Sequence, residues 1–414
     1  MPHDSIVILR TAFILVGVLP GDWDVSWKTV TFRAYCVIMD LFFPLFCIFK
    51  LLYSIMNKVS GPSLTSFLDE ENEAIMALSL TFERFAYRWK SREILEFVTK
   101  LGMHQGDGEY EENIIRFYQK ITNRMNALFV FLTSVLCTAI TANYLSIARL
   151  AGLPKFENSC GRFFVDIWVP QVLCRSPWFE ITFFYNVFMS GASIVMAYIS
   201  LVAVPLLAIQ IAGKFEIVAQ RFQSRLSSLA DGTVVGDHLI QKNIKTTIQL
   251  HQSRIRIPGE VYNSIRFQTL LQRGKAATLM NSSFHIIVLI KMVFMSLPMI
   301  VVSLVMSQTE FGSFQSLIHA LYFTLLLFQL FFFCFVGDKL TENSLKVQRA
   351  VYNNQWYTMS LANQKLLFTV ATRAGRPAKL EVWPNFVPVS LENFLNICQF
   401  TYSVYSVLVV TTSK

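Results

Sequence analysis

Apolar stretches of about 20 residues recur along this chain of 414 residues, and they constrain its fold more than any other feature. Such a stretch crosses the roughly 30 Å hydrocarbon layer of a bilayer as an α-helix, because lipid leaves backbone polar groups no partner outside the helix. Hydrophobic residues make up 53% of the chain and charged residues only 15%, against about a quarter in soluble domains. We therefore predict an all-α membrane protein.

Seven membrane spans are predicted, and a further helix precedes them. The second span begins with four acidic residues, which suits a helix that is sheltered by its neighbours or borders a water-filled cleft. Residues 5–16 are mostly apolar and are followed by Pro20 and Gly21, which predicts a helix packed at the membrane interface. The predicted spans lie at about 30–57, 67–88, 124–150, 179–212, 278–307, 314–337 and 386–412.

The distribution of basic residues predicts the orientation of these spans. If the N-terminus lies in the cytoplasm, most of the 36 Lys and Arg residues belong to cytoplasmic segments and few to outer ones. We therefore expect a cytoplasmic N-terminus and an extracellular C-terminus. A G-protein-coupled receptor has the opposite orientation, so seven spans do not indicate one here. The net charge of +9 is spread between apolar segments, which argues against nucleic acid as a partner.

The cytoplasmic connections carry helical patterns of their own. Apolar residues return every three or four positions beyond the end of span four, so that this helix continues past the membrane. A second helical region follows span six, and Gly375, Pro377, Pro384 and Pro388 separate it from the last span. The chain thus divides into 1–338, with the interfacial helix and spans one to six, 339–385, a cytoplasmic region, and 386–414, the last span.

The chain contains no motif of a known catalytic or cofactor-binding site. We find no HExxH, GxSxG, phosphate-binding loop or GxGxxG pattern, and the six histidines are dispersed. The seven cysteines form no CxxC pair or Cys/His cluster, so neither a metal site nor an enzyme is expected. Cys160 and Cys174 lie in one predicted outer loop, on the oxidising side of the membrane, and we expect a disulfide bond between them.

The C-terminal third carries a more specific pattern. It reads CFVGDKLTENSLKVQRAVYNNQWYTM, then KLLFTVATRAGRPAKLEV, and finally VSLENFLNICQFTYSVYSVLVV. In order and spacing it resembles the insect odorant receptor family, except that the tyrosine after the alanine comes one residue early. Length, span number and orientation agree with that family over the whole chain. The residues that carry the resemblance are Cys334, Gly337, Ser344, Ala350, Tyr352, Trp356, Tyr402 and Ser403.

The resemblance implies an odorant-binding subunit of a cation channel. Such a subunit assembles with a shared odorant receptor co-receptor, as a tetramer, in the plasma membrane of the dendrite or cilium of olfactory sensory neurons. The cytoplasmic region at 339–385 then forms an anchor between subunits, to which we assign Tyr352 and Trp356. The outer part of the last span lines the pore, where an apolar ring closes it by excluding water. The predicted pore-lining residues are Tyr402, Ser403, Val407 and Thr411.

The resemblance also implies an odorant pocket among spans two, three, four and six. A volatile ligand offers apolar area and one or two hydrogen-bonding atoms, so we expect apolar and aromatic residues with a few polar groups. Asn143, Tyr144 and Tyr322 are the expected hydrogen-bond donors. The predicted pocket residues are Met76, Leu80, Ile140, Asn143, Tyr144, Ile147, Phe184, Phe188, Tyr322 and Leu325.

Two other functions remain open at this point. A gustatory-type receptor channel works without the co-receptor, although the tail TYSVYSVLVV is closer to odorant receptors. A secondary transporter is expected to show paired broken helices or an internal repeat, and the sequence shows neither.

Overall fold

The computed structural model describes residues 4–18, 26–59, 64–95, 109–150, 167, 169–230, 265–310, 312–353, 356–358, 361–382 and 387–412. These residues are almost entirely helical, and their one β-bridge joins Glu381 to Pro388. The predicted all-α class is confirmed. The helices are α1 (Asp4–Leu15), α2 (Ser26–Val59), α3 (Leu64–Trp89), α4 (Glu109–Leu150), α5 (Trp178–Ala230), α6 (Ile265–Gln308), α7 (Phe314–Tyr352), α8 (Leu361–Ala374) and α9 (Leu391–Thr412).

Each predicted span corresponds to one of the helices α2 to α7 and α9. The prediction that the helix of span four continues beyond residue 212 is confirmed, since α5 has 53 residues and ends at Ala230, a length of about 80 Å at 1.5 Å per residue. The last span begins later than predicted, at Leu391 instead of 386. Before that point the backbone is extended, because the amide of Val389 donates to the carbonyl of Leu380.

Several helices are long and apolar enough to cross a membrane. In the described part of the chain four meet both conditions, at Thr29–Met56, Trp178–Gln220, Phe284–Gln308 and Phe314–Tyr352. Their surfaces carry exposed large hydrophobic side chains, as expected where lipid replaces water.

Side-chain contacts show that consecutive helices run antiparallel. Lys50 and Asp40 of α2 pair with Glu73 and Arg84 of α3, so that later residues of one helix meet earlier residues of the other. The helices α3, α5 and α7 finish at the same end of the bundle, which we call the basic end because most Lys and Arg residues lie there. We call the opposite end of the bundle the far end. The helix α1 packs its buried face into the bundle near the basic end, with the rings of Phe13 and Tyr87 5.3 Å apart.

Candidate functional site

Part of the predicted pocket lies on one face of α3. Asn72, Met76 and Leu80 are spaced by four residues, which places them on the same side of the helix. Asn72 is only 9% exposed, and Met76 and Leu80 are half-buried. Across from this row, α7 supplies Tyr322, which packs against the apolar core and has the Asn72 side chain beside its hydroxyl. Leu325 is buried one turn further along α7.

The phenylalanines predicted on α5 lie on a different face. Phe184 is 70% exposed and Phe188 49%, so both point away from the core of this chain. The adjacent face points inward instead: the Tyr185 hydroxyl donates to the carbonyl of Phe42 at 2.9 Å, and Met189 is fully buried. The structure therefore does not bring the two phenylalanines to the α3–α7 residues, and their part in the pocket stays a prediction.

The predicted α4 residues belong to the helix, but their side chains lie outside the described part of the chain. They are Ile140, Asn143, Tyr144 and Ile147.

At the polar end of the pocket row, Tyr322 was predicted from the sequence and Asn72 was not. Asn72 Oδ1 accepts no hydrogen bond and the Tyr322 hydroxyl donates none within the described part of the chain, although the Asn72 side chain lies close to that hydroxyl. Beside them, Lys50 Nζ donates to Glu73 Oε2 at 2.5 Å. Asn72 precedes Met76 and Leu80 at helical spacing, so extending that row by one turn would have found it.

A buried ion pair follows the pocket row toward the basic end. Lys291 Nζ of α6 lies 3.8 Å from Glu83 Oε1 of α3, and the two side chains are 8% and 2% exposed. Lys291 also donates a hydrogen bond to Ser200 of α5, and Ser79 donates to Glu83 at 3.2 Å. Since a charge in this region is costly unless it is paired, the cluster ties three helices together.

Three charged residues within the predicted spans, Asp40, Lys50 and Lys291, are paired inside the chain. Lys291 pairs with Glu83 and Lys50 with Glu73. Asp40 accepts from Arg84, whose guanidinium is fully buried and lies 5.0 Å from the centre of the Phe43 ring. No metal site is formed by three or more His, Cys, Asp or Glu side chains in the described ranges.

A second polar network joins α4, α5 and α7 at the basic end. The Tyr118 hydroxyl donates to Glu216, and Asn343 Nδ2 donates to the Tyr118 hydroxyl at 2.6 Å and to the carbonyl of Ala212 at 3.1 Å. Burial raises the pKa of the Tyr118 hydroxyl, and the Glu216 carboxylate raises it further, so this tyrosine stays a neutral donor. The adjoining cavity beside Phe129 measures about 10 Å³, room for one water and too small for an odorant.

The last helix presents an uncovered face along its outer half. Ser403 and Val407 lie one turn apart and are exposed in the single chain, as is Tyr402, whereas Thr401 is buried. The predicted pore-facing row is therefore solvent-exposed in the single chain at Ser403 and Val407. The side chain of Thr411 lies outside the described residues.

The start of α9 is held directly by the end of α7. Asp338 Oδ2 accepts from the backbone amide of Leu391 at 2.9 Å, which caps an otherwise unpaired amide of the helix N-terminus. Ser344 Oγ accepts from the amide of Ala378 at 3.0 Å. At Gly337 the backbone of Val389 passes so close that an added Cβ would lie 2.2 Å from its carbonyl oxygen. These contacts give physical roles to Gly337 and Ser344.

Exposed aromatic and apolar side chains cluster after α7, around the predicted anchor. We call this surface the anchor patch: it comprises Tyr352, Trp356, Tyr357, Leu361 and Phe368. Such an apolar surface at the end of a membrane bundle is typical of a protein interface.

The predicted outer loop is described only near its end. Cys174 closes a short 3₁₀ helix before α5 and is disulfide-bonded. Cys160 lies outside the described residues, so its pairing with Cys174 stays a prediction.

Comparison with known proteins gives the same result by sequence and by structure. A family model described as 7tm Odorant receptor matches residues 64–402. The putative odorant receptor 92a of Drosophila melanogaster is 21% identical over 309 residues, which cover 72% of this chain and 67% of that protein. Odorant receptor 67c of the same species is 30% identical over 98 residues, about a quarter of each chain.

The fold is similar to that of a solved receptor. The insect olfactory receptor OR5 from Machilis hrabei, in complex with eugenol, superimposes with a TM-score of 0.75 over 99% of both chains at 15% identity. A second structure of the same receptor superimposes on this chain with a TM-score of 0.73.

Proposed function

Because this chain belongs to the insect odorant receptor family and is a multi-pass membrane protein, we propose that it is the odorant-binding subunit of a cation channel formed with the odorant receptor co-receptor. The observation that carries the proposal is the family match over residues 64–402, which covers both the pocket row and most of the last helix. Receptors of this family are not enzymes. The eugenol complex of the Machilis hrabei receptor supports a small organic ligand.

The surfaces of the chain support the proposed assembly. The anchor patch offers apolar area to a neighbouring subunit, and the uncovered row at Ser403 and Val407 suits a pore shared among subunits. The basic residues support a cytoplasmic N-terminus, which places the pocket row near the outer side. The plasma membrane of the dendrite or cilium of olfactory sensory neurons is the proposed location.

Electrical recording tests the function directly. We expect odorant-evoked cation currents from cells that express this chain together with the co-receptor, and none from cells that express this chain alone. Currents from the chain alone would support a gustatory-type receptor instead. Saturable uptake of a tracer without current would support a transporter.

Replacing Trp356 with alanine should weaken assembly with the co-receptor about 5- to 30-fold. A buried aromatic anchor at an interface contributes about 1–2 kcal/mol, and alanine removes its contact area. The measurement is the amount of co-receptor that co-purifies with each variant at matched expression. Trp89→Ala is the control, since this tryptophan is also exposed but ends α3 outside the anchor patch. Equal recovery of co-receptor with both variants would remove Trp356 from the interface.

Replacing Val407 with asparagine should raise the current that flows without odorant. A polar side chain wets an apolar constriction, and a wet constriction no longer excludes ions. The measurement is basal current normalised to surface protein, with ion selectivity and blocker sensitivity recorded in parallel. Leu395→Asn is the control, because Leu395 is equally exposed on α9 but lies on another face near the basic end. If Val407→Asn changes none of these properties, Val407 does not line the pore.

A further inference from the structure

The pocket row ends in two buried polar groups that each lack one hydrogen bond: Asn72 Oδ1 accepts none and the Tyr322 hydroxyl donates none within the described part of the chain, although the Asn72 side chain lies close to that hydroxyl. Asn72 Oδ1 on α3 and the Tyr322 hydroxyl on α7 are buried beside each other. A buried polar group without a hydrogen bond is costly, and such groups are normally satisfied by protein, water or ligand. Two of them on facing helices, at the end of an apolar row, indicate where the polar group of a ligand binds.

The charges next to these atoms restrict the ligand further. Glu73 adjoins Tyr322, and Lys50 Nζ pairs with Glu73 at 2.5 Å, so the carboxylate is neutralised from within the chain. The site therefore offers no free charge to attract an ion.

The two polar groups differ in the kind of hydrogen bond that each can form with a ligand. Amide oxygen Oδ1 of Asn72 only accepts a hydrogen bond, whereas the Tyr322 hydroxyl can donate one. An aldehyde, ketone, ester or ether offers acceptors alone, so it can satisfy Tyr322 but leaves Asn72 unpaired. A hydroxyl group donates to one and accepts from the other.

We infer that this receptor selects odorants with a hydroxyl group, held between Asn72 and Tyr322, over ligands of the same size that only accept hydrogen bonds. The inference rests on the proposed function and names its ligand class. The remaining part of the alcohol lies along Met76, Leu80 and Leu325, which supply apolar contact. Water can fill both roles before the ligand arrives, and a hydroxyl group reproduces its hydrogen bonds when it displaces that water.

The test compares ligands that differ only in hydrogen bonding. The probes are 1-octanol, octanal and 1-methoxyheptane, and the aromatic set 2-phenylethanol, phenylacetaldehyde and benzyl methyl ether. Binding is measured as thermal stabilisation of the purified complex with the co-receptor, and activation as current. We expect the alcohol of at least one set to bind about 10- to 100-fold more tightly than its ether, from the cost of an unpaired buried group.

Two variants identify the atoms involved. Asn72→Leu removes the acceptor at similar volume, so the alcohol should lose its advantage while the ether binds as before or better. Tyr322→Phe removes the donor and should weaken alcohol and aldehyde alike, by about tenfold. Tyr185→Phe is the matched control, because it removes a part-buried tyrosine hydroxyl that donates to a backbone carbonyl elsewhere in the bundle.

The binding and current measurements separate two kinds of failure. Alcohol-selective binding without any odorant current would overturn the proposed channel function and leave the ligand class standing. Equal binding of alcohol and ether, an alcohol preference that survives Asn72→Leu, or no binding of either alcohol would overturn the inference, whatever the currents show.

Discussion

Replacing Gly337 with alanine is expected to remove most of the receptor from the cell surface. The added Cβ would lie 2.2 Å from the carbonyl oxygen of Val389, a backbone atom that cannot rotate away. That backbone is itself held by the hydrogen bond from Val389 to Leu380 and by the Asp338 cap on Leu391. Relieving the clash must therefore separate α7 from the start of α9. Overpacking of this kind costs about 1–3 kcal/mol or more.

The same substitution in α5 supplies the control for this experiment. A Cβ at Gly191 would meet no atom within 4 Å, so Gly191→Ala should keep full surface abundance. Alanine also favours a helix over glycine by about 1 kcal/mol. The measurement is surface biotinylation together with the thermal unfolding midpoint of the purified chain. If Gly337→Ala and Gly191→Ala behave alike, the close approach of α7 and the 389 backbone does not exist in the folded receptor.

Replacing Lys291 with methionine should destabilise the bundle by about 3–5 kcal/mol. The change leaves the Glu83 carboxylate, 2% exposed, without the ammonium group that balances its charge. A hydrogen bond from Ser79 remains, but one neutral donor does not replace an opposite charge. The measurement is the thermal unfolding midpoint in detergent or in nanodiscs, at equal protein concentration.

Two variants show whether the buried charge is the cause. The double change Glu83→Gln with Lys291→Met removes both charges and should recover much of the lost stability. Lys50→Met breaks a different ion pair, between Lys50 and Glu73, but the Glu73 side chain is 61% exposed and can be hydrated. Its cost should stay near 0–1 kcal/mol. A loss as small for Lys291→Met as for Lys50→Met would mean that water reaches Glu83.

The sequence alone predicted the all-α class, a helix for each of the seven predicted spans and the continuation of the span-four helix to the end of α5. These properties depend on the local density and period of apolar residues, which a single chain displays without its partners. The late start of α9 was missed although Pro388 disfavours a helix at the residue before it, and the pairing of Val389 with Leu380 then holds this backbone extended.

The pocket residues were assigned from the family resemblance, and a helical pattern adds to that assignment only on α3. This helix mixes acidic and apolar residues, and Met76 and Leu80 share one face of it with Asn72.

The helix α5 shows the limit of that reasoning. It is apolar on all sides, so no pattern distinguishes its inward face: the prediction selected Phe184 and Phe188, which are exposed in the single chain, whereas Met189 is buried and Tyr185 is half-buried. Only the packing of helices decides that rotation. The same is true of the pairs Lys291 with Glu83 and Tyr322 with Asn72, because residues distant in sequence meet only when tertiary contacts set which face of each helix points inward.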